Sequence, residues 1–163
     1  MGAVQAVRSR PRLRPVLVLL LAVGVLVAVQ IVRQRPVPAP ACFDPSMSLE
    51  DAEQRAERAG RAVVVLATAP WCGPCRSFKA GALADARVAR WIDDHAVGVV
   101  LDAEARPDDI RRLGIRAFPT LLVIRGGTVV AATVGEVSAE ELLRRLERAG
   151  DGAAGTPATP AGG

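Results

Sequence analysis

The sequence predicts an α/β fold: a mixed four-stranded sheet with helices on both faces, behind one N-terminal transmembrane helix. Three observations lead there. Short apolar runs alternate with amphipathic stretches, the pattern of strands joined by helical crossovers. A Gly126-Gly127 pair lies between two late strand-like runs and signals an antiparallel hairpin. Near the start, Val16 to Val32 is apolar at every position except Gln30.

That first run, VLVLLLAVGVLVAVQIV, has no polar face, so it does not read as a helix covering a soluble core. As a helix it would reach about 25 Å at ~1.5 Å per residue, the short end of a membrane span. A cleaved signal peptide is the other reading, although signal apolar regions are usually shorter. Arg8, Arg10, Arg12 and Arg14 precede the run and Arg33 and Arg35 follow it. That excess places the N-terminus in the cytoplasm and everything after the span outside, in a compartment where disulfides form. Residues 1–15 are then an Arg-rich cytoplasmic start, 16–32 an anchor in the cell membrane, and the rest extracytoplasmic. If the leader is cleaved, the domain is secreted instead.

The chain carries a net charge of +4, but no acid precedes residue 36. Removing the six arginines there leaves 15 of the 21 basic residues against all 17 acids. The globular part is mildly acidic, which argues against nucleic acid as a partner. Residues 33–47 hold the Pro-rich stretch RQRPVPAPACFDP and read as a semi-rigid linker. Residues 150–163 are small, Gly/Pro-rich and read as a disordered tail.

A compact domain is expected over 48–149. Ser48-Leu-Glu-Asp51 opens a helix in the manner of a capping box, and Gly60 suits its stop. AVVVLA, Ala62 to Ala67, is a strand buried on both faces. A helix follows Cys72, a second one runs from Asp85 to about His95, and AVGVVL, Ala96 to Leu101, is the next buried strand. Pro107 starts a short helix that ends before Gly114. Thr120–Ile124 and Thr128–Val134 form the hairpin. Ser138-Ala-Glu-Glu141 opens a last helix with Leu142, Leu143 and Leu146 on one face.

The chemistry concentrates in TAPWCGPCRSF, Thr68 to Phe78. A C-x-x-C can hold zinc, attach haem, staple a loop or exchange electrons. Zinc needs four ligands, and the chain offers only Cys42, Cys72, Cys75 and His95, scattered in sequence. Haem attachment needs a histidine after the second cysteine, where Arg76 stands. A staple across so small a loop restrains the unfolded chain little. Redox exchange fits the placement. Cys72 sits where a buried strand gives way to a helix, and unpaired N–H groups at a helix start favour a thiolate. Pro74 belongs in the first helical turn, where its missing N–H is harmless. Gly73 allows a partner chain to approach, and Trp71 can wall the site.

WCGPC, Trp71 to Cys75, and GIRAFPT, Gly114 to Thr120, identify this chain by resemblance as a member of the thioredoxin family, over roughly Ser48 to Ala149. The stretch LADARVARWIDDH is more similar to the thioredoxin-like domains of membrane-bound thiol–disulfide exchange proteins. The resemblance implies a thioredoxin-like fold and a protein-disulfide oxidoreductase, with Cys72 as nucleophile, Cys75 as resolving thiol and no cofactor beyond the Cys72–Cys75 disulfide. It implies that Pro119 is a cis-proline facing the cysteines, with Trp71, Gly73 and Pro74 as active-site support. Phe118 and Pro119 would bind the substrate chain; Phe118 also reads as an ordinary core aromatic. The Gly-Pro between the cysteines is similar to reducing members. The partners implied are protein disulfide substrates and a membrane electron-relay protein as donor. An oxidant or isomerase of secreted proteins, and a polypeptide-binding module with secondary redox activity, are the other readings.

Two departures stand out. The family's buried acid, six residues before the first cysteine, is Leu66 here, and the lysine near it corresponds to Val100. No N-terminal strand is evident before Ser48. Cys42, the odd thiol, reads as an incidental linker residue, an intermolecular disulfide partner or a lipidation site.

Overall fold

The computed structural model describes residues 13–33 and 37–151, with side chains over 15–31 and 37–151. The chain divides into two units, Met1–Arg35 and Pro36–Gly163. The Arg-rich start before residue 13 and the tail from residue 152 lie outside the described residues.

In the first unit, α1 (Leu13–Arg33) is a single helix. Its large apolar side chains between Val16 and Ile31 are all exposed. Among the described residues, however, no helix is long and apolar enough to cross a membrane. This corrects the transmembrane helix expected over Val16–Val32. A helix forms there, over Leu13–Arg33, but its described residues fall short of the length and apolarity that a membrane span requires.

The second unit is a sheet between two helical layers. Its elements are β1 (Phe43–Asp44), α2 (Leu49–Ala59), β2 (Ala62–Thr68), α3 (Gly73–Ala80), a 3-10 turn (Ala82–Ala84), α4 (Ala86–His95), β3 (Ala96–Asp102), α5 (Pro107–Arg112), β4 (Thr120–Arg125), β5 (Thr128–Val134) and α6 (Ala139–Gly150). The strand order is β1-β3-β2-β4-β5. β1, β3 and β2 run parallel, and β4 and β5 are antiparallel to their neighbours. The sheet is mixed, as expected, but it has five strands among the described residues rather than four.

The additional strand is β1, inside the stretch read as a linker. It is only two residues long and carries no periodic pattern. It pairs Phe43 with Gly98 and Asp44 with Val99. Gly98 permits this pairing, since a Cβ there would fall 2.1 Å from the Cys42 carbonyl oxygen. Phe43 is buried, and Ala39 and Cys42 pack on the same core. The linker is therefore not a free spacer along its whole length; from Ala39 it is part of the domain.

Every residue of β2 is buried, as befits a central strand covered on both faces. Alternate residues feed two cores. Val63, Val65 and Ala67 meet Leu49, Ala52 and Ala56 of α2 and Ile110 of α5. Val64 and Leu66 meet Phe78 of α3, Val88, Trp91 and Ile92 of α4, and Leu142 and Leu146 of α6. The helices start where their sequences say they should. Ser48, Asp85 and Ser138 are N-caps whose side chains accept backbone N–H groups of the first turn. Gly60 closes α2 in the left-handed conformation (φ 64°).

Candidate active site

β2 ends at Thr68, and the chain crosses Ala69-Pro-Trp71 to α3 at the C-terminal edge of the parallel strands. Cys72 is the N-cap of α3, in extended conformation (φ −79°, ψ 102°). Its Sγ accepts the backbone N–H of Cys75 at 3.1 Å. The Cys72 N–H in turn donates to Ala69 O (3.1 Å), which closes the turn leading into the helix. Cys72 and Cys75 form a disulfide with an S–S distance of 2.07 Å. Pro74 lies in the first turn of α3, where no intrahelical donor is required of it. Cys72 and Cys75 are 4% and 1% exposed, so solvent and partners reach the pair only from one side.

That side is bounded by two aromatic rings. Trp71 is exposed and meets Phe118 edge to face, with centroids 5.9 Å apart and planes at 85°. Phe118 also packs against Cys72 and Cys75. The Phe118–Pro119 peptide is cis. Pro119 O accepts the N–H of Gly135 (2.8 Å), and the Thr120 hydroxyl donates to Ala117 O (2.8 Å). These bonds fix the loop entering β4 against the end of β5. Gly73 is open: a Cβ there would meet only Arg76 Nη2, at 3.9 Å. Trp71, Cys72, Gly73, Pro74, Cys75, Phe118 and Pro119 thus converge from two loops separated by more than forty residues of chain.

Several residues here were not singled out from the sequence. The Ser77 hydroxyl donates to Glu136 Oε2 (3.0 Å), with Pro74 O as its alternative acceptor (3.1 Å). This ties the first turns of α3 to the loop after β5. Leu66 and Val100 are directly paired across β2 and β3 and buried in the core under α3. The two positions where the family resemblance would place an acid and a lysine are therefore adjacent, and both are apolar. Beyond them, Thr68 pairs with Asp102. Among the described residues, the buried Thr68 Oγ1 has no hydrogen-bond partner. A polar residue ending an otherwise apolar strand was the available signal for it.

Cys42 has a different setting. It is half-buried against the core, beside the junction with β3. Burial, and then the negative charge of Asp93, push its thiol up to about 11. His95 stacks on Trp91 and shares a hydrogen bond with the Trp91 carbonyl at the end of α4. Among the described residues there is no group of three or more metal-ligating side chains.

Comparison with known proteins agrees with this geometry. Residues 49–150 match the thioredoxin-like domain family. The thioredoxin of Synechocystis sp. is 34% identical over 80 residues, covering 49% of this chain and 72% of that protein. The thioredoxin of Allochromatium vinosum is 34% identical over 99 residues, covering 58% and 86%. Among solved structures, a thioredoxin from Thermus thermophilus superposes with a TM-score of 0.58 at 21% identity, over 65% of this chain and 84% of that one. The DsbH oxidoreductase superposes with a TM-score of 0.56 at 14% identity, over 71% and 92%. At those identities the structures speak to the fold alone.

Proposed function

The chain belongs to the thioredoxin-like family and is a thiol–disulfide oxidoreductase by its C-x-x-C pair; from that premise we propose that it reduces protein disulfides, with Cys72 as nucleophile and Cys75 as resolving thiol. The observation that carries the reading is Cys72 as N-cap of α3, with its sulfur already accepting a helix N–H. A thiolate there gains that hydrogen bond and the positive end of the helix dipole.

In the reduced protein, the Cys72 thiolate attacks one sulfur of a client disulfide. The other client sulfur leaves with the electron pair and takes up a proton. Cys75 then loses its proton and attacks Cys72 Sγ. The Cys72–client bond breaks, the second client thiol is released, and the Cys72–Cys75 disulfide closes. Two electrons have passed from the pair to the client. The client chain lies across Trp71 and the Phe118–Pro119 loop, its backbone pairing beside Phe118 as an added strand. Trp71 and Phe118 contribute apolar walls, and Gly73 leaves room for the approach.

The location proposed for this reaction is extracytoplasmic, with the first unit holding the domain at the cell membrane. The exposed apolar side chains of α1 and the arginines before it support contact with a membrane surface. A domain so placed takes its electrons from a membrane relay protein bearing a dithiol. Membrane extraction at alkaline pH with intact-mass measurement tests the placement; release of a shortened, soluble chain contradicts it.

Trapping tests the reaction. In a Cys75→Ser variant the mixed disulfide on Cys72 has no intramolecular thiol to resolve it, so it accumulates. Mass spectrometry of the adduct identifies the client. A variant that retains no thiol partner on Cys72 sinks the exchange reading. The direction of electron flow is read from the reduction potential of the pair: a value well above the compartment's poise favours the oxidant or isomerase instead.

A further inference from the structure

Closure of the Cys72–Cys75 bond requires a thiolate at Cys75, the more buried of the two sulfurs. Burial in apolar surroundings resists that ionisation. Leu66 and Val100 lie on the sheet beneath α3 and offer no charge.

The character of this face changes two residues further along each strand. Thr68 follows Leu66 on the same face of β2, Asp102 follows Val100 on the same face of β3, and the two are paired in register. From the other side, α3 contributes Lys79. It stands one turn beyond Cys75, at the i+4 position where side chains share a helix face. Lys79 is half-buried, and its ammonium donates to Val37 O (3.3 Å). Burial pulls its pKa down, and the charge of Asp102 pulls it back up. Twenty of the 21 basic residues in the chain are arginine, and Lys79 is the single lysine. The buried, unpartnered Thr68 hydroxyl lies at the same end of the sheet.

We infer that Lys79 is a positioning residue for disulfide exchange: held by Val37 O and by the charge of Asp102, its ammonium favours the thiolate of Cys75 as that sulfur attacks Cys72. The inference rests on the exchange reading above. In the step itself the Cys75 proton passes to solvent base and the Cys75–Cys72 bond forms. The Cys72–client bond breaks, and the client sulfur leaves with the electron pair. Lys79 keeps its proton throughout. The charged groups on the elements packed against the cysteines are Lys79 and Arg76 on α3, Asp102, Glu104 and Arg106 from the end of β3 into α5, and Glu136, which reaches α3 through Ser77. The open side of Gly73 is where Arg76 lies, and the loop that carries Phe118 and Pro119 also carries Arg116.

The test is stopped-flow reaction of the reduced full-length chain with an aromatic disulfide whose released thiol is coloured. The first equivalent reports attack by Cys72 and the second reports closure by Cys75. Lys79→Met is expected to slow the second step about fivefold at neutral pH and to move its pH midpoint upward. The first step should stay within about twofold. Lys79→Arg should restore most of the second step. A merely structural role would lower the melting temperature of Lys79→Met and leave the midpoint in place, and that result overturns the inference. Should Lys79→Met fold poorly, reductive methylation of the native protein with a carbon-13 label marks only Lys79 and the N-terminus. The Lys79 signal should then titrate with Cys75 in the reduced protein and lose that inflection in Cys75→Ser. An unchanged signal overturns the inference. If the unmodified protein shows no second step, the exchange reading itself fails.

Discussion

The two thiol settings of this domain differ in what the backbone does around them. At Cys72 the chain turns from strand to helix, and the sulfur meets an unpaired N–H at 3.1 Å. At Cys42 the chain enters a two-residue strand, and the sulfur meets core side chains and the charge of Asp93. Cys72 is buried and Cys42 half-buried, and at Cys42 burial is the larger cause of the raised thiol, ahead of the charge of Asp93. What differs is the compensation: a helix start offers an N–H to an anion at Cys72, whereas burial and then the carboxylate of Asp93 oppose one at Cys42. The same side chain thus meets a setting that favours its anion in one place and one that opposes it in the other.

The largest effect expected from breaking this contrast is at Cys72. Cys72→Ser should lower disulfide reduction by at least about three orders of magnitude, with folding retained, as measured by turnover of a disulfide substrate. Retained turnover would move the nucleophile elsewhere. Next is Gly98→Ala, which drives a methyl into the Cys42 carbonyl and should push β1 off the sheet. A loss of about 1–3 kcal/mol is expected from chemical denaturation, with exchange activity kept by the folded fraction. Activity lost in step with stability would mean that β1 also shapes the cysteine pair.

A smaller effect follows from the raised thiol of Cys42. Its folded pKa lies above the ordinary thiol value of 9.0, so the thiol form is favoured by folding. The associated stability is present below pH 9 and is lost as pH rises from about 9 towards about 11. Cys42→Ser should abolish that part of the alkaline decline in melting temperature. The smallest effect is at an N-cap remote from both thiols. Ser48 Oγ accepts the Asp51 N–H at 3.0 Å, and Ser48→Ala should cost about 1 kcal/mol without altering exchange.

Much of the fold was legible because local signals agreed with one another. Apolar runs of strand length, three serine or aspartate N-caps, Gly60 and the Gly126-Gly127 hairpin each point to the same element order. β1 was not legible, since two residues in a Pro-rich stretch carry no period. Its partner left a trace, however: Gly98 interrupts an otherwise branched strand, and a glycine there marks a close backbone approach. At the active site, W-C-G-P-C and the Pro119 segment placed the main residues. The Ser77–Glu136 bond joins residues 59 apart and depends on two loops meeting, which no short motif encodes. Lys79 belongs to no motif, and only the winding of α3 places it one turn from Cys75.

The most direct measurement is pulse alkylation of the fully reduced native protein at mildly acidic pH, followed by peptide mass spectrometry. Only a thiol ionised at that pH reacts quickly. Label is expected at Cys72 first, with Cys75 slower and Cys42 unlabelled until the chain is unfolded. Label appearing at Cys42 as fast as at Cys72, or at neither, would contradict the assignment of Cys72 as the activated nucleophile.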